Sequence, residues 1–293
     1  MEDKPVLIAG CGYIGRQLAR CLQSQHIAVT GCVRSVASAR ALTKAGITAQ
    51  QVDFDETTDS LSLAGFNDVF YLMPPPATGT RDTRMACFLD ALGVAKPPRR
   101  IVYISTSAVY GDCDGAWITE SQPTAPTTSR GERRLDAEHK LVEWCGQRDV
   151  EWVILRVPGI YGPGKLPLAR LKKGLPVLRE IDAPYTNRIH GDDLVAVCAA
   201  AMQSEHANTI YNVSDGHPGN MTDYFFRIAD AAGLPRPDTV TRAEAAEALS
   251  AGMLSFLNDS RRMRNDKMLD ELCVKLQFPD LQSGLAACFR EPE

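Results

Sequence analysis

Three glycines within six residues form the part of this sequence best suited to binding a phosphate. Gly10, Gly12 and Gly15 lie between the apolar segment 6–9 and a segment with helical periodicity. In a strand–turn–helix, the first glycine allows the tight turn, the second lets the backbone approach a pyrophosphate, and the third permits close helix–strand packing. A tight turn that binds no ligand is the alternative. The residues predicted to bind the phosphates of a dinucleotide are Gly10, Cys11, Gly12, Tyr13, Ile14 and Gly15.

The end of the second predicted strand bears on the choice between NAD(H) and NADP(H). Sites that prefer NAD(H) usually place a carboxylate there, which hydrogen-bonds the ribose 2′-hydroxyl. This strand is followed by Arg34 and Ser35, and a guanidinium and a hydroxyl suit a 2′-phosphate. We therefore expect NADP(H) to be favoured over NAD(H), with a solvated surface role for Arg34 as the alternative. Asp53, after the third predicted strand, is expected either near the adenine or in a turn.

Apolar segments that alternate with helical patterns indicate the fold that must position these residues. Short apolar runs are typical of parallel strands buried on both faces, and their alternation with helices predicts an α/β fold with a Rossmann-type, doubly wound parallel sheet. Strands are predicted at 6–9, 27–33, around Val52, 68–73, 100–105 and 152–156, and helices at 16–24, 81–92 and 135–145. We predict an NADP-binding Rossmann domain over residues 1–165 and a smaller C-terminal substrate lobe over 166–293, with segments around 186–203 returning to the first domain.

The composition excludes several classes of protein. The 293 residues have a net charge of -4 and a sequence pI of about 5.8, so we expect no nucleic-acid partner and no membrane-surface binding. No apolar run approaches the roughly 20 residues needed to cross a bilayer. The nine cysteines show no C-x-x-C pair, and residues 1–5 lack a signal-peptide pattern, so we expect a cytoplasmic location.

His190, Asp192 and Asp193 lack the spacing of a helix-borne metal pair, and we expect no metal.

Four further segments resemble one known family when they are taken in order with the glycine loop. They are STSAVYGD at 105–112, RVPGIYGPG at 156–164, NRIHGDDL at 187–194 and YNVSD at 211–215. As an ordered set they resemble the extended short-chain dehydrogenase/reductases of the NAD(P)-dependent epimerase/dehydratase group, and the G-x-G-x-x-G spacing is similar to that of the atypical members. The resemblance implies an oxidoreductase or epimerase that acts on a small carbonyl or hydroxyl substrate, and it places Pro158 beside the cofactor.

The catalytic positions of that family hold unusual residues in this chain. The resemblance implies a proton-donating Tyr, a Lys that lowers its pKa and holds the nicotinamide ribose, and a Ser or Thr that hydrogen-bonds the reacting carbonyl. Thr106 is the candidate hydroxyl, with Ser107 as the second choice, and either could instead be a strand-end hydroxyl bonded to backbone. The Tyr and Lys positions hold Arg130 and Arg134. A guanidinium has a pKa above about 12 and cannot donate a proton near neutrality, although Arg134 could still hold the ribose or a phosphate.

Two tyrosines offer replacement phenols near the predicted carboxyl edge of the sheet. Tyr110 and Tyr161 lie in Val-Tyr-Gly and Ile-Tyr-Gly turns, and ligands bind at this edge in such folds. Each is either a candidate acid or a packing residue. Two functions therefore stay open: an NADP-dependent enzyme with a nonstandard acid group, and a non-catalytic regulatory protein that senses NADP(H).

Three other patterns have two interpretations each. Cys11 lies at a helix N-terminus, which lowers the pKa of a thiol, so it is either redox-active or a small packing residue. A stripe along one side of a predicted helix is either a homodimer interface, as the resemblance implies, or a buried face; it consists of Leu135, Glu138, Leu141, Val142 and Cys145. A basic set predicts either an anionic substrate or a solvated surface; it consists of Arg170, Lys172, Lys173, Arg179 and Arg188. The pyrophosphate-binding Arg of the family corresponds to Thr186, so a nucleotide-sugar substrate is not supported.

Overall fold

The computed structural model describes residues 5–56, 62–93, 96–249, 254 and 257–290, so the first four residues lie outside it. Its strands are β1 (Val6–Ala9), β2 (Val29–Val33), β3 (Thr48–Gln51), β4 (Asp68–Tyr71), β5 (Arg100–Thr106), β6 (Trp117–Ile118), β7 (Glu151–Val157), β8 (Gly159–Tyr161), β9 (Val177–Leu178), β10 (Tyr185–Thr186), β11 (Arg188–His190), β12 (Thr209–Asn212), β13 (Gly219–Asn220), β14 (Thr239–Val240) and β15 (Arg262–Met263). Its α-helices are α1 (Tyr13–Ser24), α2 (Val36–Lys44), α3 (Thr83–Leu92), α4 (Ser129–Gly146), α5 (Leu168–Lys172), α6 (Gly191–Gln203), α7 (Met221–Ala231), α8 (Arg242–Ala248), α9 (Asp266–Leu272) and α10 (Leu281–Cys288). None of these described helices is long and apolar enough to cross a membrane.

In the described part of the chain, seven parallel strands form the central sheet in the order β12-β7-β5-β4-β1-β2-β3. The chain runs outward from β1 to β3 and then returns to the other side of β1 with β4. The crevice at such a reversal, outside the carboxyl ends of the strands, is where doubly wound folds bind ligands. The topology confirms the predicted Rossmann-type α/β sheet.

The two faces of the sheet are buried by different helices. Along β1, Val6 and Ile8 pack in the same core as Leu18 of α1 and Leu194 of α6. The alternate residues Leu7 and Ala9 pack on the opposite face in a second core, together with Phe88 of α3 and Leu141 of α4. Because successive side chains of a strand point to opposite faces, burial on both sides requires the continuous apolar runs seen in the sequence.

Segments after residue 165 contribute to two regions. Leu178, Phe225, Ile228 and Leu285 pack in a core of their own, which belongs to the smaller lobe. In contrast, α6 packs with α1, β12 adds an edge strand beside β7, and α9 packs on the sheet through Met268. The domain limits at 165 and 166 stay a prediction, and the chain clearly crosses between the two regions several times after them.

Candidate active site at the carboxyl ends of the strands

The glycine loop joins β1 to α1 with the geometry that a phosphate requires. Gly10 has a φ of +89°, and a Cβ there would lie 2.7 Å from the backbone nitrogen of Met73. A Cβ on Gly15 would lie 3.1 Å from the carbonyl oxygen of Gly10, so this glycine is needed for close packing. Gly12, the N-cap of α1, is different: among the described residues, its Cβ would meet the Gly10 oxygen alone, at 4.0 Å. The loop therefore leaves open space at the residue that must approach a pyrophosphate, and the first turn of α1, described throughout, carries no acidic side chain.

The side chains inside the loop hold it in place. Cys11 is buried, and a Cβ on Gly31 would lie 2.9 Å from its sulfur. Burial raises the pKa of the Cys11 thiol to about 11, which favours the packing interpretation over the redox one. The hydroxyl of Tyr13 lies 2.6 Å from the position of a Cβ on Gly162, and the Lys165 ammonium lies 4.8 Å from its ring centroid. Ile14 is buried in the sheet core.

The end of β2 presents a guanidinium to solvent. The Arg34 side chain is 68% exposed, and its Nη1 lies 3.8 Å from Oδ2 of Asp55. Asp55 is held more closely by Arg84, whose Nε donates to it at 2.6 Å. Ser35 caps α2 by accepting a hydrogen bond from the Ser38 nitrogen at 3.2 Å. Arg34 is therefore next to the N-terminus of α2. Its positive charge and the helix N-terminus both favour the binding of an anion.

Asp53 lies in a turn. Its Oδ1 accepts a hydrogen bond from the Asp55 nitrogen at 3.0 Å. Of the two interpretations of Asp53 from the sequence, this geometry favours the turn residue. A role of Asp53 near the adenine stays a prediction.

A cavity of 560 Å³ opens where the carboxyl ends of β5 and β7 meet the smaller lobe. Thr106 and Val157 are paired in register as the last residues of these two strands, which puts Thr106 beside Pro158. The cavity brings together predicted residues from distant segments with others from the lobe: Thr106, Ser107, Arg130, Arg134, Pro158, Lys165, Tyr185, Arg188, Tyr224, Asp259 and Arg261 all line it.

The Thr106 hydroxyl is bonded to backbone and also borders the cavity, so its catalytic role stays a prediction. Its Oγ1 accepts a hydrogen bond from the Ala108 nitrogen at 3.3 Å, which caps the short 3₁₀ turn Ser107–Tyr110. The same residue borders the cavity. Because a hydroxyl can accept one hydrogen bond and donate another, this cap leaves the Thr106 proton available for a ligand. Ser107 also lines the cavity, but it is 8% exposed.

Arg130 and Arg134 lie one turn apart on α4, which Thr128 caps by accepting from the Gly131 nitrogen at 3.1 Å. Arg134 Nη1 donates to the Met73 carbonyl at 2.9 Å and to the Ile104 carbonyl at 3.2 Å. It thereby ties α4 to the ends of β4 and β5. In the described residues Arg134 forms no ion pair with a carboxylate, so its charge is available to the cavity. Burial, the first cause, and the neighbouring Arg134 charge lower the pKa of Arg130.

The two candidate phenols lie outside the cavity lining. The Tyr110 hydroxyl is buried and donates to Asn212 Oδ1 at 2.7 Å, and burial raises its pKa. The Tyr161 hydroxyl donates to the Asp280 carbonyl at 3.2 Å, and burial raises its pKa as well. These hydrogen bonds favour the packing interpretation of both tyrosines, and we do not propose either as the acid.

Several lining residues were not predicted as site residues. Tyr185 is in β10, Tyr224 is in α7, and Asp259 and Arg261 lie just before β15. Arg261 is buried, and its Nη2 donates to Asp259 Oδ2 at 2.6 Å. The opposite charges of Arg261 and Asp259 offset each other in this part of the cavity wall.

The predicted basic set separates into different environments. Arg188 lines the cavity. Lys172 and Lys173 are exposed, Arg179 pairs with Asp182, and Arg170 donates to the Pro176 carbonyl. The solvated interpretation thus fits most of the set, and Arg188 is the exception.

Residues of the His-x-Asp-Asp segment are structural. His190 is buried, and its Nδ1 caps α6 by accepting from the Asp192 nitrogen at 3.2 Å. Asp193 accepts from the backbone nitrogens of Gln277 and Phe278. Burial lowers the pKa of His190, which keeps the ring neutral as a cap.

The stripe on α4 divides between two environments. Leu141 and Cys145 are buried in the sheet core, and Glu138 forms a buried ion pair with Arg156 at 2.7 Å. Val142 is 37% exposed. The buried-face interpretation accounts for most of the stripe, and homodimerisation through the exposed part stays a prediction.

The sheet, the glycine loop and the cavity together define a Rossmann-type protein of the NAD-binding class. The sequence model of the NAD dependent epimerase/dehydratase family matches residues 6–214. The chain belongs to this family.

Three known proteins are similar to this chain over at least 94% of its length. A solved structure from Silicibacter pomeroyi DSS, described as a functionally unknown conserved protein, is 31% identical, with a TM-score of 0.85 over 97% of this chain and 98% of that one. Protein YeeZ of Escherichia coli (strain K12) is 25% identical over 94% of this chain and 97% of its own length. A 3-diazoavenalumate denitrifying reductase of Streptomyces sp is 26% identical over 96% of this chain and 98% of its own length.

Proposed function

We propose that this protein is an NADP(H)-dependent oxidoreductase that reduces a small carbonyl-type substrate in the cavity at the ends of β5 and β7. The observation that carries the proposal is the meeting of Thr106, Arg130 and Arg134 in one cavity, at the edge of the sheet that also holds the glycine loop. The resemblance to a Streptomyces reductase over nearly the whole chain supports a reductase in particular.

The residues of the chain fit a dinucleotide. The open space at Gly12 admits a pyrophosphate against the N-terminus of α1, where a Cβ would meet only one atom at 4.0 Å. When bound, the nicotinamide supplies a hydride, which is the chemistry that the protein itself lacks. The protein has to bind the substrate, orient its reacting oxygen and stabilise the charge that develops there.

Thr106 and the two arginines divide this task. The Thr106 hydroxyl donates a hydrogen bond to the substrate oxygen, while its own oxygen accepts from Ala108. The guanidinium of Arg134, held by the ends of β4 and β5, stabilises negative charge on that oxygen without giving up a proton. Arg130 adds a second positive charge one turn away on the same helix. Because neither arginine is an acid near neutrality, the product oxygen takes its proton from water in the open cavity.

Removing the Thr106 hydroxyl tests the location of the chemistry. With NADPH and a broad panel of aldehydes, ketones and oxo acids, we expect the wild type to oxidise NADPH with at least one substrate. We expect Thr106→Ala to lower kcat by roughly 10²- to 10³-fold, which is the effect of removing one donor at a developing oxyanion. Thr106→Ser, which keeps the hydroxyl, is expected to retain most of the rate. Equal rates for Thr106→Ala and the wild type would place the chemistry elsewhere.

NADP(H) is favoured over NAD(H) because a positive charge and a helix N-terminus meet at the end of β2. We expect Arg34→Ala to raise the Kd for NADPH by roughly 10- to 100-fold, the loss of one charged hydrogen bond, and to leave the Kd for NADH nearly unchanged. Arg40→Ala, an exposed arginine on the neighbouring helix, is the matched control and is expected to change neither. Calorimetric titration of the wild type and both variants with NADPH and NADH measures all six constants. An equal effect of Arg34→Ala on both nucleotides would remove the case for NADP(H).

A second candidate function is a non-catalytic protein that senses NADP(H). The observation that favours it is the pair Arg130 and Arg134 at positions where the family resemblance implies a Tyr and a Lys. The enzyme is better supported, because a sensor has little need for a cavity between the sheet and a second lobe. If no substrate in the panel gives turnover while NADPH and NADP+ bind with very different affinities, the sensor becomes the better interpretation.

A further inference from the structure

Arg188 lies in the wall of the cavity, in register with Gly159 just beyond the end of β7, and three neighbours fix its position. Its Cζ lies 4.1 Å from the centroid of the Tyr224 ring, and its Nη1 donates to the Asn187 carbonyl at 2.8 Å. A Cβ on Gly159 would lie 2.8 Å from Nη1 of Arg188. The arginine can lie across β8 only because residue 159 has no side chain. The guanidinium is thus held over a ring by contacts within the protein and is already positioned before a ligand arrives.

The charge of Arg188 is not neutralised by an ion pair. Among the described carboxylates, none lies within 4.0 Å of its nitrogens, and burial, the first cause, lowers its pKa. The carboxyl group that interacts with this charge, Asp215, is itself buried, and burial raises its pKa to about 7. A buried positive charge without a paired carboxylate is costly, and a bidentate anion is the ligand that best matches a guanidinium.

The charge of the whole cavity has the same sign. Its described lining contains four arginines and one lysine but one carboxylate, Asp259. That carboxylate is occupied, because it accepts from Arg261 at 2.6 Å and from Thr127 at 2.7 Å. The cavity is therefore positively charged toward its ligand.

The cavity also has an apolar surface. The rings of Tyr224 and Phe225 and the side chains of Met221, Ile160 and Pro167 line it together with Arg188 and Thr106. A ligand that contacts both Arg188 and Thr106 thus has a cation, a hydroxyl and apolar contacts available in the same cavity.

We propose that Arg188 determines substrate specificity by binding an acidic group, a carboxylate or a phosphate, at the end of an apolar substrate whose reacting carbonyl lies at Thr106. This inference rests on the proposed function for the placement of the reacting group. The preference for an acid is a property of Arg188 and its neighbours, and it can be measured by binding alone.

Calorimetric titration with matched aromatic probes tests the preference. Phenylacetate, phenyl phosphate and the neutral phenylacetamide are titrated into the protein with and without saturating NADP+. We expect the wild type to bind the better of the two acids roughly tenfold or more tightly than the amide, the effect of a bidentate charged hydrogen bond. The ranking of phenylacetate against phenyl phosphate identifies the acidic group. Equal Kd values for both acids and the amide in the wild type would overturn the inference.

Variants at two arginines of the same lobe locate the effect. We expect Arg188→Gln to reduce the ratio of the Kd for the amide to the Kd for the acid to about one. We expect Arg188→Lys to keep part of this preference, because lysine retains the charge but lacks the planar guanidinium. Arg179→Gln, which removes a half-exposed arginine outside the cavity lining, is expected to keep the ratio of the wild type. A ratio that survives in a folded Arg188→Gln protein would contradict the inference. Failure of NADP+ to bind would contradict the proposed function instead, while the titrations without NADP+ would still decide the role of Arg188.

Discussion

Gly12→Asp is expected to abolish measurable NADPH binding while the protein stays folded. The substitution puts a carboxylate at the mouth of α1, where it competes for the N–H groups of the first turn and repels the pyrophosphate. Two charges about 4 Å apart interact with on the order of 4 kcal/mol at an effective dielectric constant of about 20, which corresponds to roughly 10³-fold in Kd. Calorimetry or NADPH fluorescence measures the loss.

The surroundings of Gly12 allow the effect of charge to be separated from the effect of side-chain size. A Cβ on Gly12 would meet one atom at 4.0 Å, and aspartate is a favoured N-cap, so the helix is expected to keep or gain stability. Gly12→Asn has nearly the same shape without the charge, and the difference between the two variants isolates the electrostatic effect. A Gly12→Asp protein that binds NADPH about as tightly as the wild type would show that the phosphates bind elsewhere.

Arg134→Met is expected to lower kcat by roughly 10²- to 10³-fold, because it removes a positive charge next to the reacting oxygen. It also leaves the Met73 and Ile104 carbonyls without their guanidinium donor, which costs about 1–3 kcal/mol of stability for a buried unsatisfied group. The rate is measured with the substrate that gives the fastest NADPH oxidation in the panel. Thermal unfolding of the same variant separates the loss of stability from the loss of rate.

Arg134→Lys is the matched control for charge. Lysine is the residue that the family resemblance implies at this position, and its ammonium can still stabilise negative charge, although it cannot form the same fork of hydrogen bonds. We expect this variant to retain a rate well above that of Arg134→Met. If both variants are as active as the wild type, the guanidinium has no part in the chemistry.

The fold was predictable because its signals are local. Strands buried on both faces have continuous apolar sequences, such as Val6–Ala9, and the glycines after this strand indicate the turn that follows. Element limits were less predictable. The third strand, expected around Val52, ends at Gln51, and the helix expected from residue 135 begins at Ser129 because Thr128 caps it. The N-cap sets the start of the helix, whereas hydrophobic periodicity shows only the part of the helix that packs against the core.

The candidate site was only partly predictable, since it is assembled from distant segments. The glycine loop follows β1 and Thr106 ends β5, so both could be placed at the carboxyl edge of the sheet from sequence alone. Tyr110 carried the same kind of signal, yet its hydroxyl bonds Asn212, a residue about a hundred positions away that no local pattern connects to it. Arg188 was one member of a loose basic set, and only the packing of Gly159 and Tyr224 around it distinguishes it from the solvated members.

Calorimetric titration of the purified wild-type protein with NADPH, NADP+, NADH and NAD+ tests the central claim most directly. We expect one nucleotide site per chain and tighter binding of NADPH than of NADH by roughly tenfold or more, since a charged hydrogen bond to the 2′-phosphate is available in only one of them. The absence of binding heat with all four nucleotides at micromolar protein concentration would contradict the account.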